Sequence, residues 1–307
     1  MPEIILNGCA PIPLAHYLKA LGILRIVAEQ VDATAACWWR GDDLILQSRL
    51  DRDGLVEFFL GEYCPSPLLN PWNGDGGFFA DSRAGAIEVL SAVTQSKAPR
   101  FAAYRNTISS VRRVFELHGI TEKPTDERKA DVLVLLRSAL PCEAVGWIDA
   151  VAVLTESGPK YPPLLGSGGN DGSIDFCKNF LQRLALNFDW DTGLPTSNAE
   201  NRLRASLFET PSPATGTADK IGQFLPGAAG GANATAGFDA DPKANPWDYL
   251  LMMEGALLFA AASSKRLESG QRGTLVYPFC VNQVGAGYAS ATRDRKSTRL
   301  NSSHGKL

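Results

Sequence analysis

The sequence predicts an α+β protein that is predominantly α-helical, with a small N-terminal β-hairpin or sheet and long Gly/Asn-rich loops. Three observations carry this prediction. Between residues 82 and 267 apolar side chains recur mostly at three- and four-residue spacing, the period of a helix with one buried face. Near the N-terminus two short apolar runs, 37–40 and 44–48, flank Gly41-Asp42-Asp43, as two strands flank a turn. Three long segments rich in glycine and asparagine, at 70–79, 162–176 and 222–238, fit neither period.

Taken in order, residues 3–7 form an opening strand that leads through Gly8-Cys9-Ala10-Pro11-Ile12-Pro13 into a helix. That helix carries Leu14, Tyr17, Leu18, Leu21, Leu24, Ile26 and Val27 as an apolar stripe. After the hairpin, Asp51 caps a short helix through Phe58 and Phe59. Helices follow over 82–96, 99–118, 124–140 and 142–155, the second closed by Gly119. Pro124 and Pro141 stand where the first turn of a helix accepts proline. Further helices are expected over 176–187, 198–208 and 248–267, and a last strand over 274–281. No internal repeat emerges, because the three loops share composition but no period. Residues 1–292 read as one unit with a possible sub-boundary near 65–80.

Composition narrows the function. The 307 residues are 45% apolar and 21% charged, ordinary for a soluble globular protein. Cys9, Cys37, Cys64, Cys142, Cys177 and Cys280 form no Cys-x-x-Cys and pair with no nearby His, so they read as reduced thiols of a cytoplasmic protein. No charged and apolar leader opens the chain, so secretion is not expected. The most apolar run, 249–262, is too short to span a bilayer, which needs about 20 residues, so no membrane partner is expected. Net charge is −3, yet residues 293–307 hold five of the 30 basic residues and one of the 33 acidic. Without them 25 basic residues face 32 acidic, a net of −7, which argues against free-standing nucleic-acid binding. That tail has no apolar periodicity and reads as a non-native adapter or vector read-through.

Enzyme signatures mostly fail. No Gly-x-x-x-x-Gly-Lys-Ser/Thr loop exists, and Gly166-Ser167-Gly168-Gly169 follows Pro-Pro-Leu-Leu rather than the strand a dinucleotide turn requires. Aligning Gly172 with the sixth position of a calcium loop leaves Lys178 where a bidentate carboxylate belongs. Before the tail the only histidines are His16 and His118, so no metal cluster and no cofactor is expected. Local support for nucleic-acid contact comes from Arg100, Arg105, Arg112 and Arg113, with residues 105 and 112 on one helix face. Glycine-loop amides could cradle phosphates and Trp72 or Trp247 could stack on bases. The competing reading is that a Trp beside proline packs to fix its loop.

The segments 6–25, 70–74, 163–172, 180–184, 222–224, 230–233 and 245–248 together resemble a family. The first is Leu-Asn-Gly-Cys-Ala-Pro-Ile-Pro-Leu-Ala-His-Tyr-Leu-Lys-Ala-Leu-Gly-Ile-Leu-Arg and the last is Asn-Pro-Trp-Asp. In this order, over roughly 4–290, the chain is similar to the start of the Csx-seventeen proteins of type I-U (also I-G) CRISPR systems. Members are considerably longer, which implies an N-terminal part truncated at the tail. The resemblance implies a non-catalytic large subunit of an RNA-guided surveillance complex acting in antiviral defence. Its implied partners are other effector subunits, guide RNA, target double-stranded DNA and a separate helicase-nuclease. Guide pairing would read sequence while protein reads a short flanking motif on the duplex. The candidate contacts are Trp72, Asn73, Gly74, Arg105, Arg112, Gly168, Gly169, Asn170, Gln223, Gly231 and Asn233. Two alternatives remain: a metal-dependent hydrolase or nuclease using Asp75, Asp171 and Asp175, and a purely architectural subunit.

Overall fold

A computed structural model of the chain describes residues 1–156, 158–162, 164–165, 176–209, 217–218, 224–225, 227, 243–264 and 274–276. The fold is α+β and mainly helical, with a three-stranded antiparallel sheet at the N-terminus. Strands β1 (Glu3–Leu6), β2 (Ala36–Arg40) and β3 (Asp43–Gln47) lie in the order β1-β3-β2. The expected hairpin is β2–β3, and β1 adds to the far edge of β3. Alternation sorts the faces: Ile4 and Leu6 oppose Leu46 and Leu44 on the buried side, whereas Glu3 and Ile5 point outward.

The first helix, α1 (Leu14–Gln30), connects β1 to β2. After the sheet, Asp51 Oδ1 accepts the amide of Gly54 at 2.8 Å and starts α2 (Arg52–Gly61), as its sequence position predicts. Then come α3 (Ala84–Gln95), α4 (Ala102–Leu117), α5 (Asp126–Ala139) and α6 (Cys142–Val151). Proline at 99 opens a single 3-10 turn, Pro99–Phe101, rather than the first turn of α4. The sixth helix ends four residues earlier than its pattern suggests. Val153–Thr155 (β4) instead pairs with Gly158–Lys160 (β5), where β-branched residues favour strand and Gly158 turns the chain at φ +98°.

Helices α7 (Phe176–Asn187) and α8 (Ala199–Phe208) follow. A two-rung ladder pairs β6 (Thr217–Ala218) with β7 (Lys243–Ala244). The last helix, α9 (Pro246–Ala256), gives way to a 3-10 turn, Leu257–Phe259. The pair β8 (Ala262–Ser264) and β9 (Thr274–Val276) follows, where sequence pattern predicts helix to 267. Nearly every residue of α9 is buried, so its sequence has no polar face whose period could mark its end.

The core is assembled around α1 and α9. Lys19 Nζ meets Asp248 Oδ1 at 2.8 Å and Arg25 Nη1 meets Glu254 Oε2 at 2.7 Å. Each step is six residues in the same sense, so the two helices run in the same direction. Gly22, between Lys19 and Arg25, and Gly255, next to Glu254, bring the backbones together. Trp247, fully buried, packs against Phe59, Tyr63 and Phe188 at centroid distances of 6.0, 6.0 and 5.5 Å. Residues on both sides of 65–80 share this one core. Among the described residues no helix is long and apolar enough to cross a membrane.

Candidate nucleic-acid interface

The first glycine loop is fastened down by its aromatic residues. Trp72 is 5% exposed and belongs to the core, so its ring offers no stacking surface in this conformation. Phe79 stacks on Phe115 of α4 at 5.4 Å, and Phe78 meets the same ring edge-on at 6.1 Å. Asn73 accepts the Gly76 amide at 3.1 Å and donates its own amide to Asn70 O at 3.0 Å, which winds the 3-10 turn Gly74–Gly76. Gly77 leaves that turn at φ +79°, and a Cβ there would lie 2.5 Å from the Ala86 carbonyl oxygen. Only glycine allows the loop to lie this close to α3. Asn73 and Gly74 remain partly exposed, and the Lys123 side chain runs alongside Gly74.

Behind this loop, α4 is sharply amphipathic. Tyr104, Thr107, Ile108, Val111, Val114 and Phe115 face the core. Asn106, Ser109, Arg112 and Arg113 are exposed. Residues 89–115 contain five Lys or Arg and no Asp or Glu. Two of those cations are committed to structure. Arg100, 7% exposed, donates Nη2 to Leu60 O at 2.7 Å and Gly61 O at 2.9 Å and lies 4.0 Å over the Phe188 ring. It thus caps the C-terminus of α2, where a cation favours the helix dipole, and burial lowers its pKa. Arg105 donates Nη1 to Ala98 O at 2.8 Å while remaining part-exposed. Lys97, Arg112 and Arg113 stay in solvent.

Beyond α4 the chain passes exposed His118 and turns at Gly119, φ +60°. It then borders a small cleft of about 140 Å³ lined in part by Thr121, Lys123, Thr125 and Arg128. Exposed Glu116, in the last turn of α4, and exposed Glu122, Asp126 and Glu127 temper the charge here, so the run of cations free of carboxylates ends at residue 115. Sequence reasoning singled out Arg105 and Arg112 but missed Lys97 and Lys123. For Lys97 the signal available was the absence of carboxylates from 89 to 115, which no motif search registers; Lys123 lies outside that run. Of the remaining candidates, Gly168, Gly169, Asn170, Gln223, Gly231 and Asn233 lie outside the described residues. So do Asp171, Asp175 and the side chain of Asp75.

A second polar cluster sits where α1, α8 and α9 meet. Lys19 is fully buried and donates to Ser206 O and Asp248 Oδ1, both at 2.8 Å, while the Ser206 hydroxyl donates to the same Asp248 oxygen at 2.5 Å. Burial pushes the neighbouring Cys9 thiol up to about 11. Burial and, secondarily, the Lys19 cation push His16 down to about 4. Thiol and imidazole are therefore neutral at pH 7, which suits a buried ion pair and leaves no activated nucleophile there. Asp149 forks onto Arg137 at 2.7 and 3.0 Å and ties α6 to α5. Among the described residues no group of His, Cys, Asp and Glu could hold a metal ion.

No family model matches the chain, and no curated protein matches it.

Proposed function

We propose that the chain is the N-terminal part of a non-catalytic large subunit of an RNA-guided CRISPR complex of type I-U/I-G, contributing to target-DNA recognition and to assembly in the cytoplasm. The observation that carries the reading is the ordered run of resembling segments across roughly 4–290. The exposed surface adds support: a chain that is acidic without its tail gathers cations on α4, and Asn73 and Gly74 are part-exposed in the loop whose Phe78 and Phe79 pack on that helix. A subunit delivered to DNA by its partners need not supply the whole electrostatic affinity itself. Recognition of a flanking motif falls to the glycine loops, and cleavage to a separate helicase-nuclease.

The test is reconstitution with guide RNA and the other effector subunits, followed by binding of matched duplex. The chain is expected to co-purify with the guide-bearing complex, and Asn73→Ala to leave assembly intact while weakening target binding. A chain that never enters the complex sinks the reading. Entry with target binding indifferent to Asn73→Ala and to charge reversal on α4 would make the subunit architectural.

A further inference from the structure

The outward face of α4 presents Arg112 and Arg113, hydroxyls, an amide and, in its last turn, the Glu116 carboxylate, but no free aromatic ring. Arg112, Arg113, Ser109 and Asn106 are exposed, whereas Trp72, Phe79, Tyr104 and Phe115 are each at most 8% exposed. Phe78 is half-buried against Phe115. Proteins that hold single-stranded nucleic acid without sequence preference stack its bases on accessible rings. A duplex hides its base faces and offers rows of phosphates, which point charges and hydroxyls satisfy. Arg105 and Arg112 lie two helical turns apart on one side, about 10 Å along the axis, so their charges follow a line rather than a point. Exposed Lys97 and Lys123 flank the helix in sequence, and no carboxylate interrupts 89–115.

We propose that the α4 face is a sequence-independent docking surface for the phosphate backbone of duplex DNA, held chiefly by Arg112 and Arg113. The inference rests on the nucleic-acid role proposed above and narrows it. This helix positions the duplex, and base reading belongs elsewhere.

The experiment uses the full 307-residue chain with the five basic residues of 293–307 changed to Gln, at concentrations high enough to register the weak contact expected of an acidic body acting alone. Its binding to two unrelated duplexes of equal length, and to their separated strands, is followed by fluorescence anisotropy at about 50 and 200 mM salt, a range over which phosphate contacts weaken measurably. Both duplexes are expected to bind alike and more tightly than any single strand. The double variant Arg112→Gln/Arg113→Gln weakens both duplexes by the same factor. Its log–log salt slope falls by about 1.8, so affinity drops about ten-fold less across that range. Arg112→Lys/Arg113→Lys retains most of the binding, because a phosphate accepts a point charge. Far-UV circular dichroism separates lost contact from lost fold. Tighter single-strand binding, a loss that differs between the two sequences, or absent or unaltered duplex binding would each overturn the proposal. Failure to join the guided complex is a separate result, since the chain could dock duplex in this way without entering that assembly.

Discussion

Gly22 and Gly255 face each other where α1 meets α9, and neither position has room for a side chain. A Cβ on Gly22 would lie 1.9 Å from the Leu251 carbonyl oxygen, and one on Gly255 would lie 1.8 Å from that of Leu18. Both obstacles are backbone, which cannot rotate away as a side chain can. Gly22→Ala or Gly255→Ala must push the helices apart and loosen the Lys19–Asp248 and Arg25–Glu254 ion pairs. Each is expected to cost about 3 kcal/mol, the upper part of the overpacking range, despite the better helix propensity of alanine. Urea denaturation checks this. A loss below about 0.5 kcal/mol, the size of an ordinary surface substitution, would mean that the contact is not there.

Glu254 is the most completely satisfied buried charge on α9. Its Oε1 accepts Tyr63 OH at 2.7 Å and the Ser66 amide at 2.9 Å, while Oε2 accepts Arg25 Nη1. Glu254→Gln leaves one oxygen for Tyr63 and Ser66 but turns an amide group toward the guanidinium. Breaking a buried pair from one side costs roughly 3–5 kcal/mol, because the remaining charge is stranded. Adding Arg25→Met to Glu254→Gln removes that stranded cation and is expected to recover part of the loss in the same urea titration. A double variant less stable than Glu254→Gln alone would show that Arg25 contributes through Ser66 and Glu29 instead.

His16 makes stability depend on pH in a definite direction. Its folded-state pKa is pushed from 6.5 down to about 4 by burial and then by Lys19. The unfolded chain therefore binds the proton first as pH falls. The stabilisation is complete above the ordinary imidazole pKa and is lost progressively down to about pH 4. Because the ring is partly open to solvent, the contribution is on the order of 2 kcal/mol or less. Comparing melting temperatures of wild type and His16→Gln at pH 7 and pH 4.5 isolates it from carboxylate titration. The wild type should lose more between the two, and parallel curves would remove His16 from the account.

Local chemistry made much of this fold legible. Two short apolar runs across Gly41-Asp42-Asp43 marked β2 and β3, a helical stripe marked α1, and Asp51 and Gly119 marked helix ends. What stayed hidden depends on distant partners. Nothing near Lys19 announces that it will be buried against Asp248, 229 positions away, or that Arg25 will meet Glu254 at the same offset. The segment Asn245-Pro246-Trp247-Asp248 stood out by composition, and each of its polar residues has a packing task. Asn245 Oδ1 caps α9 by accepting the Trp247 amide, Trp247 Nε1 donates to Ala199 O, and Asp248 holds Lys19. The candidate interface was legible only in part, because a field of cations is defined by the carboxylates it lacks.

Trp72 and Asn73 are neighbours in the first loop with opposite fates, which determines how a mutational test there is read. Trp72 is 5% exposed within the core, so Trp72→Ala removes a large buried ring and should cost roughly 3–5 kcal/mol. Asn73 is part-exposed, and its backbone rather than its side chain supplies the turn contacts to Asn70 and Gly76. Asn73→Ala should therefore change stability by no more than about 0.5 kcal/mol. Thermal unfolding of the two variants beside wild type measures both. If the melting temperature falls for Trp72→Ala alone, lost DNA binding in that variant reports unfolding, and only Asn73→Ala reports contact. A stable Trp72→Ala protein would put the ring outside the core and restore it as a stacking candidate.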